Sequence, residues 1–197
     1  MAFTFLAAQG VHVGQTVIET DKIDDAAEIL RLAEARGVQI VLPRDVMCGS
    51  SLQETEQGEG GHTNMGSKVI TVPLTRGCCS RESPCVAPDV IGGDIGPETI
   101  RLFTEMIEAC RCDVIFWNGP MGKYEVDAYS QGTRAIAHAL ATCTRQGSRT
   151  VVGGGDSTAA VDKYGLEHDF THISTGGGAT LEFIEGLHMP GLRALVM

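Results

Sequence analysis

The spacing of apolar residues changes several times along the chain, and each change predicts an element. Residues 3–9 start a short helix that Gly10 and Gly14 end. Ile23, Ala26, Ala27, Leu30 and Ala33 recur at helical spacing among charges, so 24–36 reads as an amphipathic helix stopped by Gly37. The β-rich run 38–43, closed by Pro43, predicts a strand. Residues 48–67 and 74–88 are polar, glycine-containing and aperiodic, and predict two long, peripheral, mobile loops around a short strand at 69–73. The second half is more regular. Pro97 opens a helix to about Ala109, with Ile100, Phe103, Ile107 and Cys110 inward. The nearly unbroken apolar run 113–117 predicts a strand covered on both faces. A helix over 128–143, a strand at 148–152, a helix over 158–164, a strand at 171–174 and a helix over 179–185 follow. Alternating strands and helices imply βαβ units, a parallel sheet and one α/β domain.

Composition narrows the class. Hydrophobic residues make up 43% and charged residues 20% of 197 positions, which excludes a disordered chain, and no apolar run reaches the ~18 residues of a membrane span. The formal net charge of −10 disfavours nucleic acid and anionic membranes as partners. It also means that a phosphate ligand would be held by backbone dipoles or a metal. Seven cysteines is an odd number, without a CxxC pair. Cys78 and Cys79 are adjacent, and Cys110 and Cys112 flank one residue; neither spacing suits a zinc knuckle. His62, Cys78 and Cys85 offer a loop metal site as an alternative, but free thiols in a reducing compartment are the expectation. Residues 1–6 lack the basic start of a signal peptide, so a cytoplasmic location is expected.

The candidate chemistry lies at three strand ends, where open parallel sheets bind ligands. These are Trp117-Asn118-Gly119-Pro120-Met121-Gly122, Gly153-Gly154-Gly155-Asp156-Ser157 and Ser174-Thr175-Gly176-Gly177-Gly178. A glycine triplet between strand and helix lets backbone N–H groups approach an anion, and the helix N-terminus adds about half a positive charge. One triplet is as well read as a tight turn; two in corresponding positions favour a phosphate site. Asp156 is either a helix cap or the carboxylate for a nucleotide's Mg²⁺. Ser157 is a cap or a phosphate donor, Asn118 an Asx turn or a phosphate contact, and Glu125 a solvated acid or a ribose acceptor. The six histidines show no ligand spacing, and His172 reads as a packed strand residue. No GxxxxGK[ST] occurs, since Gly66-Ser67-Lys68 has the wrong order, and 153–158 lacks the third glycine of GxGxxG. A dinucleotide fold, and with it an unrelated Rossmann-like dehydrogenase, is therefore weakly supported.

With these motifs the chain resembles the C-terminal, nucleotide-binding domain of phosphoglycerate kinases. The carriers are 117–122, 153–157 and His172 to Phe183, with weaker matches at 1–6, at Leu42-Pro43 with Asp45, and at Gly92 with Asp94-Ile95-Gly96-Pro97. The resemblance implies a three-layer, Rossmann-like parallel sheet with helices on both faces. It implies transfer of the acyl phosphate of 1,3-bisphosphoglycerate to MgADP, giving 3-phosphoglycerate and MgATP. Gly92 and Pro120 would line the adenine pocket and Glu125 would bind ribose; Asn118 and Ser157 would contact phosphates and Asp156 the Mg²⁺. Gly154, Gly155, Gly177 and Gly178 would aim helix N-termini at the transferring phosphoryl group. Val90, Gly93 and Lys123 depart from the family pattern, and the loops at 48–67 and 74–88 are longer than the family's. By the same resemblance the chain lacks the family's N-terminal domain, with its basic patch and catalytic arginine, and the first strands and lysine segment of the C-terminal domain. It is thus expected to be monomeric, to supply the nucleotide side only, and to be inactive alone. Bisphosphoglycerate and 3-phosphoglycerate would bind only with the missing domain, and an upstream targeting segment would permit an organellar location. The alternative is a non-catalytic nucleotide-binding fragment or a degenerate remnant.

Overall fold

The computed structural model describes residues 1–50, 52, 69–74, 86–87 and 89–195. Where the alternation of elements reads as one domain, these residues cluster into two compact units: Met1–Leu102 with Gly122–Gly132, and Phe103–Met121 with Thr133–Met197.

The first unit opens with α1 (Ala2–Ala8) and α2 (Ile23–Ala35), both as the periodicity predicts. Its sheet is antiparallel rather than parallel, in the order β2-β1-β3, with β1 at Asp45–Gly49, β2 at Ile70–Pro73 and β3 at Ile91–Ile95. The strand expected at 38–43 does not form. That segment has no ladder partner among the described residues and Val38 is exposed; pairing begins only beyond Pro43, which lacks the N–H a ladder needs. β3 went unpredicted because Gly92 and Gly93 erase its strand signature. Cys48 and Gly49, expected in the first long loop, close β1 instead. Leu74 and Val86, expected in a peripheral loop, are buried in a core with Leu6, Val11, Val13, Val46 and Cys48. Apart from Ser50, Leu52 and Ala87, the rest of both predicted loops, and the His62–Cys78–Cys85 alternative, lie outside the described residues.

Helix α3 (Pro97–Ala109) begins in the first unit and continues into the second. Its N-terminus is tied to β1. The Asp45 carboxylate accepts the Glu98 N–H (3.0 Å) and the Thr99 N–H (2.8 Å), and the Thr99 hydroxyl accepts the Asp45 N–H (3.0 Å). The first two bonds satisfy donors that every helix start leaves without an intrahelical acceptor.

The second unit is the α/β part. β4 (Val114–Asn118), β5 (Arg149–Gly153) and β6 (His172–Ser174) form a parallel sheet in that order. Trp117 and Val152 turn one face toward α3, α4 (Gln131–Arg145) and α5 (Gly155–Lys163), packing with Ile107, Ile136, Leu140 and Val161. Phe116 and Val151 turn the other face toward α6 (Gly178–Glu185) and α7 (Pro190–Leu195), the latter unpredicted. Helices thus flank both faces, but cover them unequally. Val114 is 59% exposed, so the apolar run at 113–117 is not a strand buried on both sides. The histidine expected to pack, His172, is exposed on β6. Cys110 and Cys112, expected as free thiols, are joined by a disulfide, whereas Cys48 and Cys143 are free and buried.

Candidate functional site

Sheet register assembles the three strand-end motifs of the second unit. Asn118 pairs with Gly153, and Gly153 with Ser174, so the three strands finish in one row. The loops that leave this row are 118–121, 153–155 and 174–178, and the last two lead directly into α5 and α6.

The first loop is held from two sides. The Trp117 indole Nε1–H donates to the Gly119 carbonyl at 2.8 Å, and the Gly119 N–H donates to Ser157 Oγ at 2.6 Å. Ser157 is fully buried, so in this arrangement its hydroxyl ties the 118–121 loop to the first turn of α5. The Met121 N–H donates to Thr133 Oγ1 at 3.0 Å, fixing the loop's far end beyond Pro120. The sequence gives Trp117 no role beyond opening its motif, and Thr133 none at all. A buried indole does carry a signal, because its N–H must find an acceptor.

The glycines divide by physical cause. Gly154 sits at φ +87°, and a Cβ there would collide with Asn118 Oδ1. Gly177 sits at φ +46°. Both therefore favour glycine on backbone grounds. Gly155 and Gly178, the first residues of α5 and α6, have no such reason: their φ is ordinary and a Cβ would point into open space. What their lack of a side chain provides is access to two helix N-termini. Asp156, in the first turn of α5, is exposed beside that opening.

Gly92 and Glu125 belong to the first unit. Gly92 donates its N–H to Thr16 Oγ1 at 2.9 Å, and a Cβ there would meet the Phe3 ring at 2.7 Å. The segment carrying Glu125 is fastened to β3 at both ends: the Lys123 N–H donates to the Gly93 carbonyl (2.8 Å), and the Gly132 N–H to Asp94 Oδ2 (2.7 Å). Glu125 is exposed. Gly93, a departure from the family pattern, gives up its side chain to the Tyr129 ring, which occupies that space. Asp94 of β3, given above only as part of a weaker family match, is buried, and burial pushes its carboxyl up to about 6. Its backbone bonds from Gly132 and Ile95 only partly offset that cost.

Among the described residues no group of three His, Cys, Asp or Glu side chains could hold a metal ion by itself. An Mg²⁺ here would need ligand phosphates beside a single carboxylate, which is how Mg²⁺ is usually bound. Asp156 fits that role by position and exposure. No helix among the described residues is long and apolar enough to cross a membrane.

Known proteins match almost the whole chain. A family model described as phosphoglycerate kinase covers residues 1–187. A phosphoglycerate kinase of Prosthecochloris aestuarii is 44% identical over 195 residues, covering 99% of this chain and 44% of that protein. One from a Synechococcus species is 41% identical over 195 residues, covering 99% of this chain and 42% of its own length. The solved structure of phosphoglycerate kinase from Coxiella burnetii superposes with a TM-score of 0.78 at 34% identity, covering 94% of this chain and 42% of that one. The chain therefore spans less than half the length of these relatives.

Proposed function

We propose, for a chain that belongs to the phosphoglycerate kinase family, that it is the nucleotide-binding part of such an enzyme and takes MgADP or MgATP at the 118–121, 153–157 and 176–178 loops. One observation carries this reading. The register Asn118–Gly153–Ser174 sets three loops at one sheet edge, with open space before the N-termini of α5 and α6. Helix N-termini with cleared backbone attract phosphate, which is how a chain of net charge −10 could hold a polyanion.

In this reading Gly154, Gly155, Gly177 and Gly178 present backbone N–H groups to the phosphates. Asn118 contacts a phosphate, and the buried Ser157 serves the same group indirectly, by holding the Asn118 loop through the Gly119 N–H. Asp156 is the protein's ligand to Mg²⁺, which supplies neutralisation of phosphate charge when bound. Gly92 and Pro120 keep the adenine roles, and Glu125 the ribose role, that family membership implies. The whole reaction would be phosphoryl transfer between 1,3-bisphosphoglycerate and MgADP in glycolysis. In such chemistry protein groups act by positioning and charge stabilisation. The acid substrate would need the part of the relatives' length that this chain does not span. A chain covering 42–44% of those relatives also fits the narrower reading of a nucleotide-binding fragment without turnover.

Calorimetry of MgADP and of metal-free ADP tests the assignment. Asp156→Ala is expected to weaken the magnesium complex more than the free nucleotide. Equal losses for both would remove Asp156 from the metal.

A further inference from the structure

We propose that Cys110-Arg111-Cys112 is a thiol–disulfide exchange site, cycling between its disulfide and a dithiol by reaction with an external dithiol. The two cysteines are bonded to each other with Cα atoms 5.2 Å apart. They occupy the turn between α3, which ends at Ala109, and β4, which starts at Val114. Cys110 is exposed and Cys112 half-buried, whereas the free thiols of Cys48 and Cys143 are buried. A cavity of about 570 Å³ opens beside the pair, lined by Glu108, Arg111, Cys112, Asp113, Gln146 and Ser148 among others. Cys110 is therefore open to attack at the surface, and the cavity leaves room at Cys112, its partner in the bond.

Two further features mark the bond as exchangeable rather than structural. The closed loop holds one residue between its cysteines, so the crosslink removes little freedom from the unfolded chain. That residue, Arg111, has φ +42°, the one left-handed non-glycine among the described residues. Opening the ring lets Arg111 return to an ordinary conformation, which favours reduction.

Helix polarity gives the step a direction. Cys110 follows the C-terminus of a 13-residue helix, where the dipole disfavours an anion. Cys112 lies beyond Arg111, away from that end. An external thiolate attacks Cys110 Sγ; the Cys110–Cys112 bond breaks, and Cys112 leaves as a thiolate and takes up a proton. The reagent's second thiolate then attacks the mixed disulfide, releasing Cys110 as a thiolate that is protonated in turn. Two electrons pass to the cysteine pair, and the external dithiol becomes a disulfide. Oxidation is the reverse. The turn lies at the amino-terminal edge of β4 and β5, opposite the edge bearing Asn118 and Gly153, and Arg149 N–H donates to the Asp113 carbonyl there at 2.8 Å.

The test equilibrates the native full chain with graded ratios of reduced to oxidised dithiothreitol, quenches with acid, alkylates and maps labelled peptides. Cys110 and Cys112 are expected to gain label together in one two-electron transition, with Cys48 and Cys143, already free thiols, labelled to the same extent at every ratio. Arg111→Gly, which removes the left-handed penalty, is expected to raise the ratio needed for half-reduction by about tenfold. A pair that stays oxidised in large excess of reduced reagent, or stays reduced in excess of oxidised reagent, would overturn the proposal. An unchanged midpoint in Arg111→Gly would overturn the role given to the turn. The readout is thiol labelling, so its outcome is independent of nucleotide binding.

Discussion

Asp94 keeps a carboxyl group in the interior of the first unit, 3% exposed, with the Gly132 and Ile95 N–H groups as partners. Burial raises its pKa from the ordinary 3.8 to about 6. A raised acid pKa means that folding favours the protonated form, so the penalty is absent below about pH 4, grows as the pH climbs toward 6, and levels off above it. Its full size is about 3 kcal/mol, from ~1.4 kcal/mol per unit. Asp94→Asn removes the titration but leaves one of the two N–H groups facing the amide NH2 instead of an oxygen, a cost that does not vary with pH. In urea unfolding between pH 4 and 7, wild type is therefore expected to lose stability relative to Asp94→Asn as pH rises. A difference that stays constant over this range would show that Asp94 does not titrate there. Gly155 makes the opposite case, a residue whose identity the fold does not need. A Cβ there meets nothing, and alanine is better than glycine in a helix. Gly155→Ala should leave the melting temperature unchanged or raised while weakening MgADP binding about tenfold or more, by putting a methyl group in the phosphate approach. Retained affinity would mean that phosphates do not approach this helix end.

Helices were more legible than strands, for reasons visible in particular elements. α3 begins at the proline and ends at the alanine that its pattern indicates, because Pro97 and a continuous apolar stripe are local signals. Strands depend on partners, and partners are not local. Residues 38–43 have strand composition and no ladder, while β3 has two glycines and a ladder with β1. The run at 113–117 correctly marked β4, but its continuity could not tell how much of each face is covered. The candidate site was legible as three glycine-containing motifs in order. Its internal ties were not, because Trp117 to Gly119, Gly119 to Ser157 and Met121 to Thr133 join positions by tertiary hydrogen bonds that leave no spacing rule. The same holds for the cap of α3, which comes from Asp45, 53 positions upstream of Glu98. Asp45→Ala strips acceptors from the Glu98 and Thr99 N–H groups at once. It is expected to cost about 2 kcal/mol, within the range for lost caps and orphaned buried donors. Urea denaturation measures it, and a loss below a few tenths of a kcal/mol would show that water or another group replaces the carboxylate.

At the scale of the molecule, charge decides how much of the family reaction this chain can perform alone. Phosphoryl transfer needs the acyl phosphate held in line with the nucleotide, and such positioning supplies several kcal/mol of the barrier. On the proposed reading, the nucleotide side is served by the three loops, two helix N-termini and Asp156. The acid side would need a basic cluster for a small phosphorylated carboxylate. The chain's 15 Lys and Arg are outnumbered by 25 Asp and Glu, and within 117–125, 153–157 and 174–178 the one basic residue is Lys123. Three described arginines are paired with carboxylates elsewhere, Arg31 with Glu28, Arg44 with Glu98 and Arg145 with Asp169. Two helix dipoles and one metal would neutralise the nucleotide's own charge and leave little for the transferring group. The purified 197-residue chain, given bisphosphoglycerate and MgADP in a coupled assay, is expected to stay at background while still binding MgADP by calorimetry. Binding without turnover would separate the nucleotide half of the reaction from the rest. Turnover approaching that of a complete phosphoglycerate kinase, with host enzyme excluded by an Asp156→Ala control purified in parallel, would show that the chain builds an acid-substrate site from groups other than a basic cluster.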